Sequence, residues 1–367
     1  MNKIIYLDAA ATYQKPDCVI ASELDFLQNS YANAGRGFCQ RVADVDDMMV
    51  RTRARVAAFM NARPDQIVFT SGTTAAMNMV ADMLAVNATT RLLVSDMDHH
   101  SARLPFEKKV LSRAGRVFVC ELGDDMNFDV AKIPVADVFV ITAMSNVLGQ
   151  AQNVAEIVQA ARQKNPNVIT VVDAAQYVVH NKIDVRAWDC DFVAWSAHKI
   201  GADTGLGVLY IKNPERVNPH FIGGGMVQRV MPDGQIVLAA GAERFEAGTQ
   251  PLTQIAGFIP AIDSLEQRRP DMALIQYLYD ELSGLPKIKL LTRRDASVVT
   301  FVVDGMNVVD MAARMGVRGL CARAGAMCAS WMMNLLNIDG AIRLSVGAYN
   351  SKEDIDAAIK IIKDCIK

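Results

Sequence analysis

The sequence lacks the marks of several large protein classes. Its 38 Lys and Arg nearly balance its 40 Asp and Glu, a net charge of −2, so nothing draws it to nucleic acid or to an anionic membrane surface. No apolar run reaches the ~18 residues of a spanning helix. The start, Met1 to Asp8, is too short and too soon acidic for a secretory signal, and a cytosolic location is expected. Seven cysteines at irregular spacing, with no C-x-x-C pair, argue against a disulfide framework or a metal site. Most of them read as small core hydrophobes. No internal repeat or low-complexity tract interrupts the chain. What remains is 367 residues of which 51% are apolar, enough for a large core split into two lobes. A small molecule is the expected partner.

One lysine stands out. Lys199 lies between two apolar strand-like runs, Phe192 to Trp195 and Leu206 to Ile211, with Thr204-Gly205-Leu206-Gly207 as a turn. This places it at a strand end inside the protein, where a desolvated amine loses its charge and can form a Schiff base with an aldehyde. The plain alternative is a surface lysine in a loop.

Three neighbouring patterns bear on that choice. Val168-Ile-Thr-Val-Val-Asp-Ala-Ala-Gln176 is a β-branched run that delivers Asp173 to the crevice at a strand end. A carboxylate there is the group needed to keep a pyridine nitrogen protonated. Ser71-Gly72-Thr73-Thr74, between strand-like Ile67–Thr70 and the helical run from Ala75 to Leu84, offers hydroxyls and free N–H groups as a phosphate cradle. Asp98-His99-His100 follows strand-like Arg91 to Ser95 and puts an imidazole where it could lie on a cofactor ring. Strand-end acids, helix caps and paired histidines are each common; their order and placement carry the inference.

With these stand Tyr6-Leu-Asp-Ala-Ala-Ala-Thr12, Ser145-Asn-Val-Leu-Gly149, Ser196-Ala-His-Lys199, Arg244-Phe-Glu-Ala-Gly-Thr249, Arg323-Ala-Gly325 before Cys328, and Arg343-Leu-Ser345. In these motifs the chain resembles the class V, fold-type I pyridoxal-phosphate enzymes, and among them the cysteine desulfurase and selenocysteine lyase branch. The resemblance implies an α/β fold: a large domain over 16–253 with a seven-stranded, mainly parallel sheet, and a smaller α+β domain from 1–15 and 254–367. It also implies a homodimer, in which Thr249 reaches the partner's cofactor phosphate.

The order of elements agrees with that fold. Strand-like runs at Ile67–Thr70, Leu92–Ser95, Val117–Cys120, Val138–Thr142, Val168–Val172, Phe192–Trp195 and Leu206–Ile211 alternate with helical ones. Pro16 to Tyr31 and Ala43 to Met60 have helical spacing. Gly223-Gly-Gly225 and the polar run Met231 to Gly234 read as a loop or hairpin. Beyond Pro251 come helical Gln254 to Arg268 and Met272 to Leu282, then strand-like Ser297 to Val303. A last helix opens at Ser351 with Asp354 at capping-box spacing.

By the family pattern, pyridoxal phosphate sits on Lys199, His99 stacks on its ring and Asp173 pairs with its nitrogen. Gln176 and Asn146 touch its phenolic oxygen or the substrate, and Thr73, Thr74, Ser196 and His198 hold its phosphate. Arg343, with Arg323 as helper, resembles the fork for the substrate carboxylate; the alternative for Arg343 is an ordinary surface arginine. Cys328 stands where desulfurases carry the nucleophile that takes sulfur as a persulfide and releases alanine, with a sulfur-acceptor protein as a further partner. Three departures accompany the match: Gly35 where the family often has histidine, Ala102 where it has asparagine, and Ala326-Met327 where paired histidines often precede the cysteine. The resemblance therefore leaves open a class V aminotransferase or another lyase in which Cys328 is not a nucleophile, and a scaffold without turnover.

Overall fold

The computed structural model describes residues 4–35 and 37–367; Arg36, in the loop where Gly35 replaces histidine, lies outside the described residues. A short strand, β1 (Ile5–Tyr6), opens the chain, and seven strands form the central sheet: β2 (Ile67–Thr70), β3 (Arg91–Ser95), β4 (Arg116–Cys120), β5 (Val138–Thr142), β6 (Ile169–Asp173), β7 (Phe192–Ser196) and β8 (Gly207–Ile211). Their spatial order is β2-β8-β7-β6-β5-β3-β4. Only β8 runs against the rest, pairing antiparallel with β2 and β7. The sheet is thus mainly parallel, as expected, and the strands lie within a residue of their predicted ends.

Both faces are covered, which explains why these strands read as continuous apolar runs rather than alternating ones. Leu93, Val172 and Val193 face a core completed by helices Gln40–Phe59 and Val154–Lys164. Their neighbours Leu92, Val171 and Phe192 face the opposite core, under helices Thr73–Met83 and His100–Leu111. Strand β4, at the sheet edge, is mostly exposed or half-buried.

A hairpin of β9 (Val227–Val230) and β10 (Ile236–Leu238) follows, closed by the polar run at Met231 to Gly234. The second lobe contains β11 (Ile288–Leu290), β12 (Val299–Val303), β13 (Leu320–Cys321), β14 (Arg323–Gly325) and β15 (Ala341–Leu344); four of these form the sheet β11-β12-β15-β14, and β13 pairs with β1. Helices Met272–Ser283, Val308–Val317 and Lys352–Ile366 enclose its own core around Leu278, Phe301 and Ile359. The last helix has the predicted capping box between Ser351 and Asp354.

The lobe boundary differs from the sequence expectation. Ile255, Phe258, Ile262 and Leu265, on helices Leu252–Ala256 and Phe258–Gln267, are buried in the large lobe's core. Apolar spacing shows that a helix is amphipathic but not which core receives its face, so the change of lobe comes after Gln267 rather than at residue 254. The N-terminal segment is shared: β1 pairs with β13 and Ile5 and Leu7 lie in the second core, while Ala9 and Tyr13 are buried in the large one.

Candidate active site

The parallel strands end on one side of the sheet, and the loops leaving them build one cavity of about 440 Å³ at the seam between the lobes. Every predicted site residue except Thr249 lines it. This is the crevice at the carboxyl ends of strands where α/β sheets bind ligands.

Past β7 the chain turns through Ala197–Ile200, which carries Lys199 into the cavity. Its Nζ donates to the carbonyls of Ala10 (2.7 Å) and Ala11 (3.0 Å). Burial, then Arg343, lowers its pKa to about 8; Asp173 and Asp8 pull the other way without offsetting them. Lys199 is therefore not a surface lysine, and roughly a tenth of it is neutral at pH 7.

Asp173 closes β6, and its Oδ1 accepts from the Ala175 amide at 2.9 Å. Burial raises its pKa to about 6 against that bond and the nearby Lys199. His99 caps helix His100–Leu111: its Nδ1 accepts from the Ser101 amide at 3.2 Å. An amide only donates, so Nδ1 is unprotonated and the neutral ring carries its proton on Nε2. Burial, then Lys199, holds its pKa down at about 4. His198 is lowered to about 4 by the same causes in the same order.

At the start of helix Thr73–Met83, the Thr73 amide donates to Ser196 Oγ at 2.8 Å and the two hydroxyls are 2.7 Å apart. Thr74 is exposed beside them. The turn depends on two glycines. Gly72 has φ 137°, and a Cβ on Gly207 would stand 2.5 Å from Gly72 Cα, so β8 passes the cradle at backbone contact. Helix N-terminal amides flanked by hydroxyls suit an anion.

The second lobe supplies the other wall. Arg343 on β15 is buried, donating to the Asn146 carbonyl at 2.8 Å and to Asp8 Oδ1 at 3.3 Å. It is thus not an ordinary surface arginine. Arg323, its register partner on β14, reaches Asp8 Oδ2 at 2.7 Å. Burial lowers the Arg343 pKa to about 10, although Asp8 opposes this. Asn146 donates to the Met327 carbonyl at 2.8 Å, and Gln176 to the Ala10 carbonyl at 2.9 Å. Two buried atoms on this cavity have no hydrogen-bond partner among the described residues: Asn146 Oδ1 and Arg343 Nε.

Cys328 is exposed at the mouth, on a loop where Met327 (φ 52°) and Cys328 (φ 54°) are both left-handed. Such backbone is costly for non-glycine residues, and the loop is held from both sides. His100 N donates to the Cys328 carbonyl at 2.8 Å, and Asn146 holds Met327. Beyond it, Trp331 has the Arg103 guanidinium 4.0 Å from its ring centre and the His100 ring edge-on at 5.3 Å.

Thr249 lies elsewhere, on a second cavity of about 610 Å³ with Asn33, Arg53 and Glu246. Glu246 pairs with Arg53 (2.7 and 2.8 Å) and accepts from the Phe69 amide, bracing this loop against the sheet. Sequence reasoning quoted Asp8, Ala10, Ala11 and Asp98 within motifs but gave them no role. The motif around Asp8 was visible, but its carboxylate had no assigned partner. Asp98, fully buried and bonded to Ser95 and Thr142, fixes the turn that presents His99.

Residues 5–358 match the family model for class-V aminotransferases. A probable cysteine desulfurase of Vibrio cholerae is 32% identical, with the match covering 100% of this chain and 94% of the relative. Among solved structures, the apo cysteine desulfurase of Thermococcus onnurineus superposes with a TM-score of 0.93 at 29% identity, over 99% of this chain and 94% of that one. The cysteine desulfurase CsdA of Escherichia coli, in an S-sulfonic acid form, superposes with a TM-score of 0.90 at 28% identity over 99% and 94%.

Proposed function

Because the chain belongs to the class-V aminotransferase family, we propose that it is a pyridoxal-phosphate-dependent cysteine desulfurase, releasing alanine from L-cysteine and holding the sulfur on Cys328. The observation that carries this is the convergence on one cavity of a depressed lysine, a buried strand-end carboxylate, a neutral capped histidine and an exposed cysteine. The family relatives named as cysteine desulfurases favour the same reaction.

The cavity suits pyridoxal phosphate. The Thr73–Ser196 corner and the first turn of helix Thr73–Met83 would take the phosphate. Asp173 would face the ring nitrogen, His99 the ring, and Asn146 Oδ1 is a buried acceptor awaiting a donor. When bound, the group withdraws electrons from the α-carbon of an amino acid joined to it.

The chain's own residues supply the rest. Arg343 and Arg323 would orient the substrate carboxylate, since a guanidinium fork matches it in two bonds. Lys199 Nζ, held by the Ala10 and Ala11 carbonyls, would hold or return a proton at the α-carbon. Cys328 Sγ, as thiolate, attacks the substrate sulfur: an S–S bond forms as the Cβ–S bond breaks, and its electron pair goes to Cβ, which is then protonated. Alanine leaves, and the persulfide on Cys328 passes to an acceptor protein at the exposed mouth.

A homodimer is part of the proposal. Thr249 is on a separate cavity within one chain, and the segments around that cavity expose Phe38, Val50, Phe221 and Ile222, large apolar side chains that a partner subunit would cover. No helix among the described residues is long and apolar enough to cross a membrane, and the enzyme is proposed to work in the cytosol.

Purified holoenzyme of Cys328→Ser, incubated with cysteine, should lose sulfide and alanine release together. Undiminished alanine would remove Cys328 from the reaction. Release of an α-keto acid would instead mark an aminotransferase. Borohydride reduction followed by peptide mapping should label Lys199, and an unlabelled Lys199 overturns the assignment of cofactor attachment.

A further inference from the structure

Asp8 is the one carboxylate described in contact with either proposed substrate-binding arginine. Its two oxygens are divided between them: Oδ2 with Arg323 at 2.7 Å and Oδ1 with Arg343 at 3.3 Å. These arginines are direct register partners on adjacent strands β14 and β15, so both side chains leave the same face of the sheet. The carboxylate between them comes from a different part of the chain, just past β1. It is held there by backbone: Leu7 N to the Cys321 carbonyl, Ser345 N to the Leu7 carbonyl and Ala9 N to the Ser345 carbonyl.

The fork is not saturated. The shorter contact goes to Arg323, which is nearly half exposed, while the fully buried Arg343 gets the longer one and keeps Nε without a partner among the described residues. A buried guanidinium with one long ion pair and a free N–H is poised to accept a better carboxylate, because charge-assisted bonds strengthen steeply as water is excluded. The chain also continues from Asp8 directly into Ala10 and Ala11, whose carbonyls hold Lys199, and Ala10 holds Gln176 as well. One strap therefore joins the arginine fork to the reactive amine.

We propose that Asp8 is a positioning residue that stands in for the substrate's α-carboxylate, keeping Arg323 and Arg343 converged and yielding Arg343 to the carboxylate of the incoming amino acid. Substrate binding and the Asp8 contact are then mutually exclusive at Arg343 Nη2. Asp8 lowers carboxylate affinity and discriminates against weak anions, which cannot displace it. The inference rests on the reading of Arg343 as the carboxylate site.

The test uses holoenzyme and propionate, a carboxylate with no amine to react with a cofactor, as competitive inhibitor against cysteine. Asp8→Asn keeps the size and one acceptor but removes the charge. Its inhibition constant for propionate is expected to fall at least about fivefold, the lower range of coupling between linked ligands. A merely structural Asp8 predicts the opposite, weaker binding in a loosened site, and an unchanged or raised constant overturns the proposal. Arg343→Gln separates the two readings: if it loses propionate while Asp8→Asn is unchanged, the Asp8 proposal fails alone. If Arg343→Gln binds propionate like the wild type, the carboxylate site itself is misassigned. Should Asp8→Asn fail to fold, hydrogen exchange of wild-type residues 7–12 decides: saturating propionate should speed exchange there as Asp8 is released, and slowed or unchanged exchange overturns the proposal.

Discussion

The lowered pKa of Lys199 makes a quantitative claim about cofactor uptake. Burial and then Arg343 bring it to about 8 from an ordinary 10.5. The neutral amine, which alone can bond to an aldehyde, then rises from about a tenth of the population at pH 7 to about nine-tenths at pH 9. Uptake of pyridoxal phosphate by the cofactor-free chain, trapped by borohydride at fixed times and mapped to Lys199, should climb about tenfold over that range and level off. An exposed lysine would climb about a hundredfold with no plateau. The two directions of charge can be tested separately: Asp173→Asn should move the plateau to lower pH, and Arg343→Gln to higher pH. The same shift bears on stability. Between pH 8 and 10.5 the unfolded chain holds the proton that the folded chain has released, so this group adds stability as pH rises through that window, about 3 kcal/mol in all. Lys199→Met should lack that gain in denaturant titrations. A hundredfold rise in uptake without levelling, or equal alkaline gains in both proteins, would refute the argument that burial controls this amine.

Three further outcomes are expected. Gly207→Ala puts a methyl 2.5 Å from Gly72 Cα and 2.9 Å from two backbone atoms, and should cost roughly 1–3 kcal/mol in a urea melt while weakening cofactor retention. His99 is held at about 4, below its ordinary 6.5, so the unfolded chain binds more protons between those values and stability falls as pH drops from 6.5 to 4; His99→Gln should show a shallower fall by circular dichroism. Trp331→Ala removes both the stack on Arg103 and the edge contact with His100, about 1–2 kcal/mol of local ordering. Its signature is faster hydrogen exchange over residues 326–331 with the melting of the rest unchanged.

How much of this could be read beforehand differs by residue. The central strands were legible because both faces of the sheet are buried, so each is a continuous apolar run bounded by polar turns. The capping box at Ser351 was legible because it is made within one turn. Helix Phe258–Gln267 was legible as a helix but assigned to the wrong lobe, since its apolar face fits either core until the chain is folded. Gly35 and Ala102 looked alike as departures, yet Ala102 is a fully buried helix residue under the sheet while Gly35 lines the Thr249 cavity.

By itself the order of residues determined the alternation of strands and helices, the strand-end placement of Asp173 and Lys199, and the short-range motifs, because each depends on neighbours a few positions away. Tertiary structure alone decided what those groups experience. Lys199 is depressed by burial and by an arginine 144 positions further along the chain. Asp8 meets Arg343 across 335 positions. Desolvation and charge act through space, and only the closed fold sets those distances.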